Sequence, residues 1–354
     1  MFSGCLLFIA SFVNATVRTV SNSPASIAQF NTIQAAIDAS SNGDTVYVQG
    51  SPVSYAGFTI SNKQLVVIGP GWSPDKNLPH LATINAQISL TGAGTSGTEI
   101  QGLTISGGIR IASAGINNIR IIRNHFINLT FHILTGGAST FSGYLFEGNW
   151  FTQSGINVEP SSTYQNFIIQ NNIFHMNDCC SANSMTDGFV NSVNVLFNHN
   201  LFYGITGANN VFGSSCRFLL LTNNIFVRRN ANAVNSTFTN NITFNTTNNS
   251  PWTINGNIDG GGNITNQDPQ IVDQVVINSG TDNALLDFTI AAGPANNSGT
   301  DGKDMGLLYD VTGSLNWTNS RNSRLPRITK MNIVNSTVAV GGSISISLEA
   351  KTSN

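Results

Sequence analysis

Short runs of alternating apolar and polar residues recur along the middle of the chain, and each run ends in Asn-x-Phe. The runs are IRIIRNHF, YLFEGNWF, FIIQNNIF, VLFNHNLF and LLLTNNIF, and their asparagines are Asn124, Asn149, Asn172, Asn200 and Asn224. These asparagines are 25, 23, 28 and 24 residues apart, and Gly102, 22 residues before the first, marks a variant copy. A repeat of this length is typical of one coil of a solenoid, whose neighbouring coils bury a shared core.

Each run predicts a strand, because period-two alternation rich in Ile, Leu and Phe fits a strand that is buried on at least one face. Asn tolerates left-handed backbone angles, so we expect it at the bend that ends the strand. Identical Asn side chains stacked about 4.8 Å apart can hydrogen-bond along the stack as a ladder. The aromatic residues two positions later are expected to stack inside the coils as a column: Phe126, Phe151, Phe174, Phe202 and Phe226.

A further strand precedes each run, in the segments GGIRIAS, TFHILTG, SGINVEP, DGFVNSV and NNVFGSS. Three short strands and their turns fill a coil of this length. A leucine-rich repeat also uses an Asn ladder, but it needs Leu-x-x-Leu-x-Leu spacing and a helical half, and the sequence has neither. The pattern therefore predicts an all-β fold, a single parallel β-helix of about nine or ten coils.

Both ends of the repeat carry sequence that is not coil-like. Near the start, Asn31-Thr32 can cap a short helix with Ile33, Ala36 and Ile37 on one face. Such a helix would cover the open first coil, as terminal repeats must. After Pro326, short alternating stretches predict a C-terminal β tail.

One stripe of apolar residues has no predicted cover. Leu145, Ile168, Leu196 and Leu220 fall between the inward positions of their strands, and a stripe of that size should not face water. We expect residues 312–354 to pack along it as a tail, and the alternative is a docking surface for another protein. The chain is thereby divided into residues 16–311, the β-helix with its N-terminal cap, and the tail.

The sequence MFSGCLLFIASFVNA, residues 1–15, predicts a signal peptide. An apolar stretch too short to span a bilayer is followed by Val13 and Ala15, small residues at the third-last and last positions before cleavage. We therefore expect a secreted protein, located outside the cell or at its surface, and no transmembrane segment later in the chain.

The stretches NTIQAAIDASSNGDTVYVQG and FTISNKQLVVIGPGW, followed by the Asn-x-Phe coils, resemble the pectate-lyase-like right-handed parallel β-helix superfamily, in particular its secreted bacterial β-helix repeat proteins. The stretch FTIAAGPANNSGTDGKDMGLL is similar to the last coils of that group, so the resemblance covers roughly residues 28–310. It implies the fold but no single activity, since one β-helix hosts many chemistries. In enzymes of this superfamily the active groove usually lies on the outward face of the first strand of successive coils.

Alternation places a polar column on that outward face. If the apolar residues of these strands point inward, Arg110, His132 and Asn157 point outward on consecutive coils, about 5 Å apart, and Glu159 lies one outward position further along. An arginine can neutralise a uronate carboxylate, and a histidine can act as general acid or base near neutral pH. Arg110 and His132 are therefore the candidate catalytic pair, and Asn157 and Glu159 are candidate ligand-binding residues. The alternative is a polar surface strand without a ligand.

Two further sets of positions are candidates for binding. The residues just before the ladder, Arg123, Glu147, Gln170 and His199, predict a solvated surface cluster, and exposed ion pairs there would contribute little to stability. Trp150 follows a ladder asparagine and is expected to point outward, where an aromatic face can stack on a sugar.

Composition and missing motifs restrict the function. Only 9% of the residues are charged and the net charge is −2, which excludes a disordered chain and gives no electrostatic footprint for nucleic acid.

Carboxylates and His/Cys sets lack the grouping that calcium or zinc needs, and Asp178 and Asp187 are expected in turns, so we predict no metal and no cofactor. Once the signal peptide is removed, Cys179, Cys180 and Cys216 can form one disulfide or remain buried thiols.

Three functions from different classes fit these observations. The first is a non-catalytic module that binds a carbohydrate or a surface, because the signature strings of polygalacturonase-like hydrolases and pectate lyases are absent and charges are few. The second is a polysaccharide lyase that cleaves an acidic polysaccharide by β-elimination. The third is a structural, adhesin-like surface protein. We expect a monomer whose partner is a polysaccharide or a cell-surface glycan, and the sequence leaves open whether it is an enzyme.

Overall fold

The computed structural model describes residues 15–72, 80–177, 185–283, 286–308, 327–333 and 346–351. Within these ranges the chain winds repeatedly through parallel sheets, and one passage through the sheets is called a rung. Strands are numbered β1–β30 in chain order. Residues 1–14 of the predicted signal peptide, Asp178, Cys179 and Cys180 lie outside the described residues.

Sheet A contains eleven strands, joined by parallel pairing. They are β1 (Val17–Val20), β2 (Thr45–Val48), β4 (Val66–Ile68), β7 (Glu99–Gln101), β10 (Arg120–Ile122), β14 (Leu145–Glu147), β18 (Ile168–Gln170), β22 (Val195–Asn198), β24 (Leu219–Thr222), β26 (Thr237–Thr239) and β28 (Ile258–Asp259). Its eleven strands define ten steps from rung to rung, which agrees with the predicted number of coils.

Sheet B contains eight parallel strands and carries the aromatic core. They are β5 (Thr83–Ile84), β8 (Thr104–Ile105), β11 (His125–Ile127), β15 (Trp150–Thr152), β19 (Ile173–Met176), β23 (Leu201–Gly204), β25 (Ile225–Val227) and β27 (Ile242–Phe244). The predicted Phe column is confirmed: neighbouring rings from Phe126 to Phe226 stack with centroids 4.8, 4.5, 4.8 and 5.0 Å apart. Each rung contributes one ring, and all five rings are fully buried in the interior of the coils.

Sheet C contains six parallel strands, and its outward face carries the predicted polar column. They are β3 (Thr59–Ser61), β6 (Ile88–Thr91), β9 (Ile109–Ile111), β12 (Phe131–Ile133), β16 (Ile156–Val158) and β20 (Thr186–Asp187). A small sheet D between sheets C and A contains β13 (Thr140–Ser142), β17 (Thr163–Gln165) and β21 (Asn191–Val193). The parallel three-sheet winding confirms the predicted β-helix.

The predicted N-terminal cap is also confirmed. Helix α1 (Ile33–Asp38) begins after Thr32, whose side chain accepts a hydrogen bond from the backbone N–H of Ala35 at 3.2 Å. Ile33, Ala36 and Ile37 are buried against the first rungs. The helix therefore shields the core where no earlier coil could cover it.

The Asn ladder is continuous along the β-helix. The Nδ2 atoms of Asn124, Asn149, Asn172 and Asn200 donate to Oδ1 of the asparagine on the next rung at 3.3, 2.9, 3.0 and 2.9 Å. The ladder extends from Asn224 through Asn241 to Asn263, at 3.0 and 3.1 Å. These last two asparagines were not predicted, because Thr243 and Thr265 stand where the Asn-x-Phe motif has phenylalanine.

The left-handed bend lies one residue earlier than predicted. Positive φ is found not at the ladder asparagines but just before them, for example at Arg123 (+53°), Asn171 (+54°) and His199 (+53°). Each ladder amide must point along the helix axis to reach the next rung, so the preceding residue makes the bend. Gly102 (φ +68°) is such a bend residue, and Leu103 takes the ladder place: its N–H donates to Oδ1 of Asn124 at 3.0 Å.

Residues 271–283 and 286–308, together called the covering segment, contribute no strand to the parallel sheets, although the stretch 288–308 is similar in sequence to the last coils of the superfamily. They pack on the outward face of sheet B and include helix α2 (Gln274–Asn278). Ile271, Ile277 and Phe288 of the segment join one buried cluster with Leu201 and Ile225 of sheet B. The outward face of sheet B is apolar and needs this cover, since large apolar patches are rarely left in water.

The apolar stripe on sheet A is a different surface, and it is exposed. Register places Leu145, Ile168, Leu196 and Leu220 side by side, and Ile168 and Leu220 are 39% and 38% exposed. Beside it, Phe218 is 50% exposed at φ +59°. Most of the predicted tail lies outside the described residues, so its packing on the stripe stays a prediction.

The described part of the tail is an antiparallel hairpin of β29 (Arg327–Ile333) and β30 (Ile346–Lys351). Its register pairs apolar with apolar and polar with polar residues, Met331 with Leu348 and Asn332 with Ser347. Among the described residues no helix is long and apolar enough to span a membrane.

Candidate functional site

A polar column runs across the outward face of sheet C. Strand register aligns Ser89, Arg110, His132, Asn157 and Asp187 on five consecutive rungs. The first four are half-buried and Asp187 is exposed, while their strand neighbours point into the core. The predicted alignment of Arg110, His132 and Asn157 is therefore confirmed, and their role in binding or catalysis stays a prediction.

Ser89 and Asp187 extend this polar column of sheet C by one rung on either side, and they were not assigned to it from the sequence. The aspartate was expected as a turn residue where the predicted strand DGFVNSV opens, but it lies at the end of β20, opposite Asn157 of the preceding rung. This strand begins one residue before the predicted segment, and its inward position is the buried Thr186 rather than a large apolar residue. Asp187 Oδ1 accepts a hydrogen bond from the backbone N–H of Gly188 at 2.7 Å.

The imidazole of His132 is uncharged near neutral pH. Burial lowers the pKa of His132 below its ordinary value, and the positive charge of Arg110 lowers it further. Its Nε2 lies 3.3 Å from Nδ2 of Asn157. An amide nitrogen can only donate, so this ring nitrogen accepts and Nδ1 carries the proton.

Glu159 faces a loop rather than open solvent. Its Oε2 accepts hydrogen bonds from the backbone N–H and the hydroxyl of Thr135, at 3.0 and 3.1 Å, and from the N–H of Gly136 at 3.2 Å. These hydrogen bonds, led by that of the Thr135 backbone, hold the pKa of Glu159 below its ordinary value. One carboxylate oxygen is thus occupied by the chain itself.

The column places five polar groups in one line: the hydroxyl of Ser89, the guanidinium of Arg110, the neutral imidazole of His132, the amide of Asn157 and the carboxylate of Asp187. Parallel strands repeat about every 4.8 Å, which is similar to the length of one sugar unit in an extended polysaccharide. The polar side chain of each rung can therefore hydrogen-bond to one sugar unit of such a polysaccharide. The arginine adds a site for an anionic substituent, because guanidinium groups bind carboxylates and sulfates well.

The second predicted cluster is not a solvated surface. Arg123, Glu147 and His199 are only 8%, 9% and 2% exposed, although Gln170 is half-buried. Gln170 donates to Oε2 of Glu147 at 2.8 Å. The cluster occupies the bend between sheets A and B, where the end of the covering segment packs: the ring of His199 lies 3.1 Å from the carbonyl oxygen of Gly306. Burial there lowers the pKa of His199 and of Arg123.

Trp150 points outward from the coils, as predicted, but it presents no open face for a sugar. It is 5% exposed, its ring stacks on His125 at 4.2 Å and lies 5.2 Å from the ring of Trp72. Its Nε1 donates to Oδ1 of Asp282 in the covering segment at 2.9 Å. The sequence could not reveal this burial, because the partner is 132 residues away.

A buried polar network joins the covering segment to sheet B. The ring of His175 is fully buried, with Nε2 2.9 Å from the carbonyl oxygen of Gly280 and Nδ1 3.5 Å from Oδ2 of Asp282. Burial alone would raise the pKa of Asp282, but the hydrogen bond and charge of His175 bring it below its ordinary value. Burial lowers the pKa of His125 to about 4. The network holds the covering segment against sheet B.

The described residues contain no group of three or more His, Cys, Asp or Glu side chains placed to hold a metal ion. Cys216 carries a free, buried thiol, whose pKa burial raises to about 12. It therefore behaves as a small core residue and not as a nucleophile.

Comparisons with known proteins show a similarity to solved structures. No protein-family model and no curated protein sequence matches the chain. Among solved structures, the crystal structure of pectate lyase Pel9A is similar to the chain at 15% sequence identity and a TM-score of 0.31, over 87% of this chain and 96% of that one.

Proposed function

We propose that the chain is a secreted, non-catalytic module that binds a polysaccharide along the polar column of sheet C. The observation that carries the proposal is the register of that column, which sets Arg110, His132 and Asn157 on consecutive rungs. A repeating polymer is the natural ligand for a surface that repeats its polar groups at a fixed distance. The partial burial of these side chains limits the rotamer entropy lost on binding.

Binding without cleavage is favoured by how the acid–base groups are engaged. The unprotonated nitrogen of His132 already accepts the Asn157 amide, and one oxygen of Glu159 is held by the 135–136 loop. Hydrolysis uses two carboxylates with room for substrate between them. On the described face, Glu159 is held in this way and Asp187 bonds Gly188, so neither fits the role of a free general acid.

The experiment is a binding assay on the full chain against a panel of acidic and neutral polysaccharides. Affinity electrophoresis of the wild type is compared with a variant that carries Arg110→Ala, His132→Ala and Asn157→Ala. We expect the wild type to be retarded by an acidic polysaccharide and the variant to lose at least about tenfold in affinity, since hydrogen bonds to charged groups contribute about 1.5–3 kcal/mol each. Equal retardation of the two proteins would refute this site.

A polysaccharide lyase is the second candidate, because Arg110 and His132 lie side by side on neighbouring rungs. The arginine would neutralise a uronate carboxylate, and the histidine would remove the proton from the carbon next to it. The C=C bond forms as the glycosidic C–O bond breaks, and the leaving oxygen takes a proton from water. Ultraviolet absorbance of unsaturated uronates, followed with the same polysaccharides, distinguishes the two. A rising signal that His132→Ala abolishes would establish the lyase, whereas a flat trace with retained binding supports the module.

A further inference from the structure

The peptide group between Leu134 and Thr135 lies between two charged side chains of neighbouring rungs. It follows β12, with Arg110 on the rung before it and Glu159 on the rung after it. On one side, the N–H of Thr135 donates to Oε2 of Glu159 at 3.0 Å. On the other side, the carbonyl oxygen of Leu134 accepts a hydrogen bond from a terminal nitrogen of Arg110 at 3.3 Å.

These two hydrogen bonds belong to one rigid unit. The C=O of Leu134 and the N–H of Thr135 are part of the same planar peptide, in which they point in opposite directions. A carboxylate that fixes the N–H therefore fixes the direction of the carbonyl. The charges also match the peptide dipole, with the anion at the N–H end and the cation at the C=O end, so each hydrogen bond strengthens the other.

The contacts of Glu159 hold more than one atom of the loop. Its Oε2 also accepts from the Thr135 hydroxyl and from the N–H of Gly136, at 3.1 and 3.2 Å. The lowered pKa of Glu159 keeps the carboxylate charged at neutral pH. Gly136 adopts φ +79° and is exposed, so the loop has little packing of its own to hold it.

Arg110 in turn depends on this carbonyl. Its Nε is buried and has no hydrogen-bond partner among the described residues. The hydrogen bond to Leu134 is thus what fixes the orientation of the guanidinium within the column. Without it the long side chain would sample several rotamers, and binding would have to order it again.

We infer that Glu159 is a positioning residue that orients Arg110 across two rungs through the Leu134–Thr135 peptide. The inference rests on the proposed function only because Arg110 is there the residue that binds the ligand. It changes the role expected for Glu159 from direct ligand contact to preorganisation of a neighbour. The two hydrogen bonds that join Glu159 to Arg110 through this peptide, called the relay, exist without ligand and can be measured in the free protein.

The test compares Glu159→Gln and Glu159→Ala with a matched control, Glu99→Gln. Glu99 pairs with Arg120 at 2.9 Å on sheet A, so it is a second carboxylate next to a second arginine. Side-chain nitrogen relaxation and the exchange of the guanidinium protons, Nη–H for Arg110 and Nε–H for Arg120, are recorded in the full chain. We expect Nη–H exchange of Arg110 to rise roughly twofold to tenfold in Glu159→Ala, the factor that one hydrogen bond supplies, and less in Glu159→Gln, which keeps an acceptor.

The control should show the reverse: Glu99→Gln should alter Arg120 and leave Arg110 unchanged. Unchanged Arg110 dynamics in Glu159→Ala, with the β-helix intact by circular dichroism, would overturn the inference. A lower unfolding midpoint without a change at Arg110 would do the same, because it would show a purely structural role for Glu159. Neither result depends on whether a polysaccharide binds.

A double-mutant cycle of Glu159→Ala and Arg110→Ala then measures whether Glu159 affects polysaccharide affinity through Arg110. If Glu159 acts through Arg110, the affinity lost in Glu159→Ala disappears in an Arg110→Ala background. If the two losses add fully, Glu159 contacts the ligand by itself and the inference is wrong. Absence of any polysaccharide binding by the wild type would overturn the proposed function but not the relay seen in the free protein.

Discussion

Nε2 of His132 lies 3.3 Å from Nδ2 of Asn157 on the next rung, so the imidazole accepts and the amide donates. This contact fixes the proton of the neutral ring on Nδ1 and leaves the carbonyl end of the Asn157 amide for other partners. Both side chains are thereby oriented before any ligand arrives. The polar column is a preorganised surface and not a set of independent side chains.

The pKa of His132 predicts how binding depends on pH. Burial and Arg110 lower this pKa, so the ring gains its proton only below the ordinary histidine value of 6.5. A second positive charge then appears beside Arg110, and affinity for an acidic polysaccharide should rise as the pH falls below the ordinary histidine value. Affinity electrophoresis between pH 7.5 and 5 checks this, and His132→Gln should flatten the rise. A rise of equal size in His132→Gln would assign the effect to another group.

The Asn ladder should be the most sensitive part of the core. Asn172 accepts from the backbone and side-chain N–H groups of Asn149 and donates to Phe146 and Asn200. Asn172→Ala leaves several buried groups unpaired, at about 1–3 kcal/mol each, so we expect a loss above about 3 kcal/mol in the free energy of unfolding. Urea unfolding measures it.

The control for the ladder is Asn191→Ala, an exposed asparagine on β21 of sheet D. We expect a change within about 0.5 kcal/mol for this variant. Comparable losses in both variants would mean that the ladder adds nothing beyond an ordinary surface asparagine.

His125 predicts an acid-sensitive stability. Its folded pKa of about 4 lies below the unfolded value of about 6.5, so the folded protein resists protonation. Stability is then fully present above pH 6.5 and falls as the pH drops towards 4, by up to about 3 kcal/mol. His125→Phe keeps a ring against Trp150 but cannot titrate. Urea unfolding at pH 7 and pH 4.5 should show a smaller difference for this variant than for the wild type, and an unchanged difference would contradict the assignment.

The apolar stripe predicts what the tail does. The chain leaves the covering segment at Leu308, whose N–H donates to Asn171 Oδ1 at 2.7 Å, on the rung of the stripe residue Ile168. Deletion of residues 312–354 should therefore increase the binding of an apolar dye and promote aggregation, if the tail covers the stripe. Ile168→Ser in the shortened chain should reverse part of the dye signal. Unchanged dye binding and solubility after the deletion would count against this packing.

The repeat could be predicted from the sequence because identical side chains recur at one position per rung. Asn149 and Phe151, for example, need only their own copies on neighbouring rungs, so spacing and alternation define their surroundings. The covering segment has no copies, and its contact between Asp282 and Trp150 joins residues 132 positions apart. Burial of Trp150 therefore could not be predicted, nor could the role of Glu159, which depends on the exact direction of one peptide in a loop.

The most direct test of the binding site is a calorimetric comparison of Arg110→Ala with Arg120→Ala. Both variants lose the same charge, but Arg110 lies in the polar column and Arg120 lies on sheet A. With an acidic polysaccharide that the wild type binds, Arg110→Ala should weaken the affinity by about tenfold or more, while Arg120→Ala should stay within about twofold. Equal losses in the two variants would reduce the interaction to general charge attraction and contradict a site on sheet C.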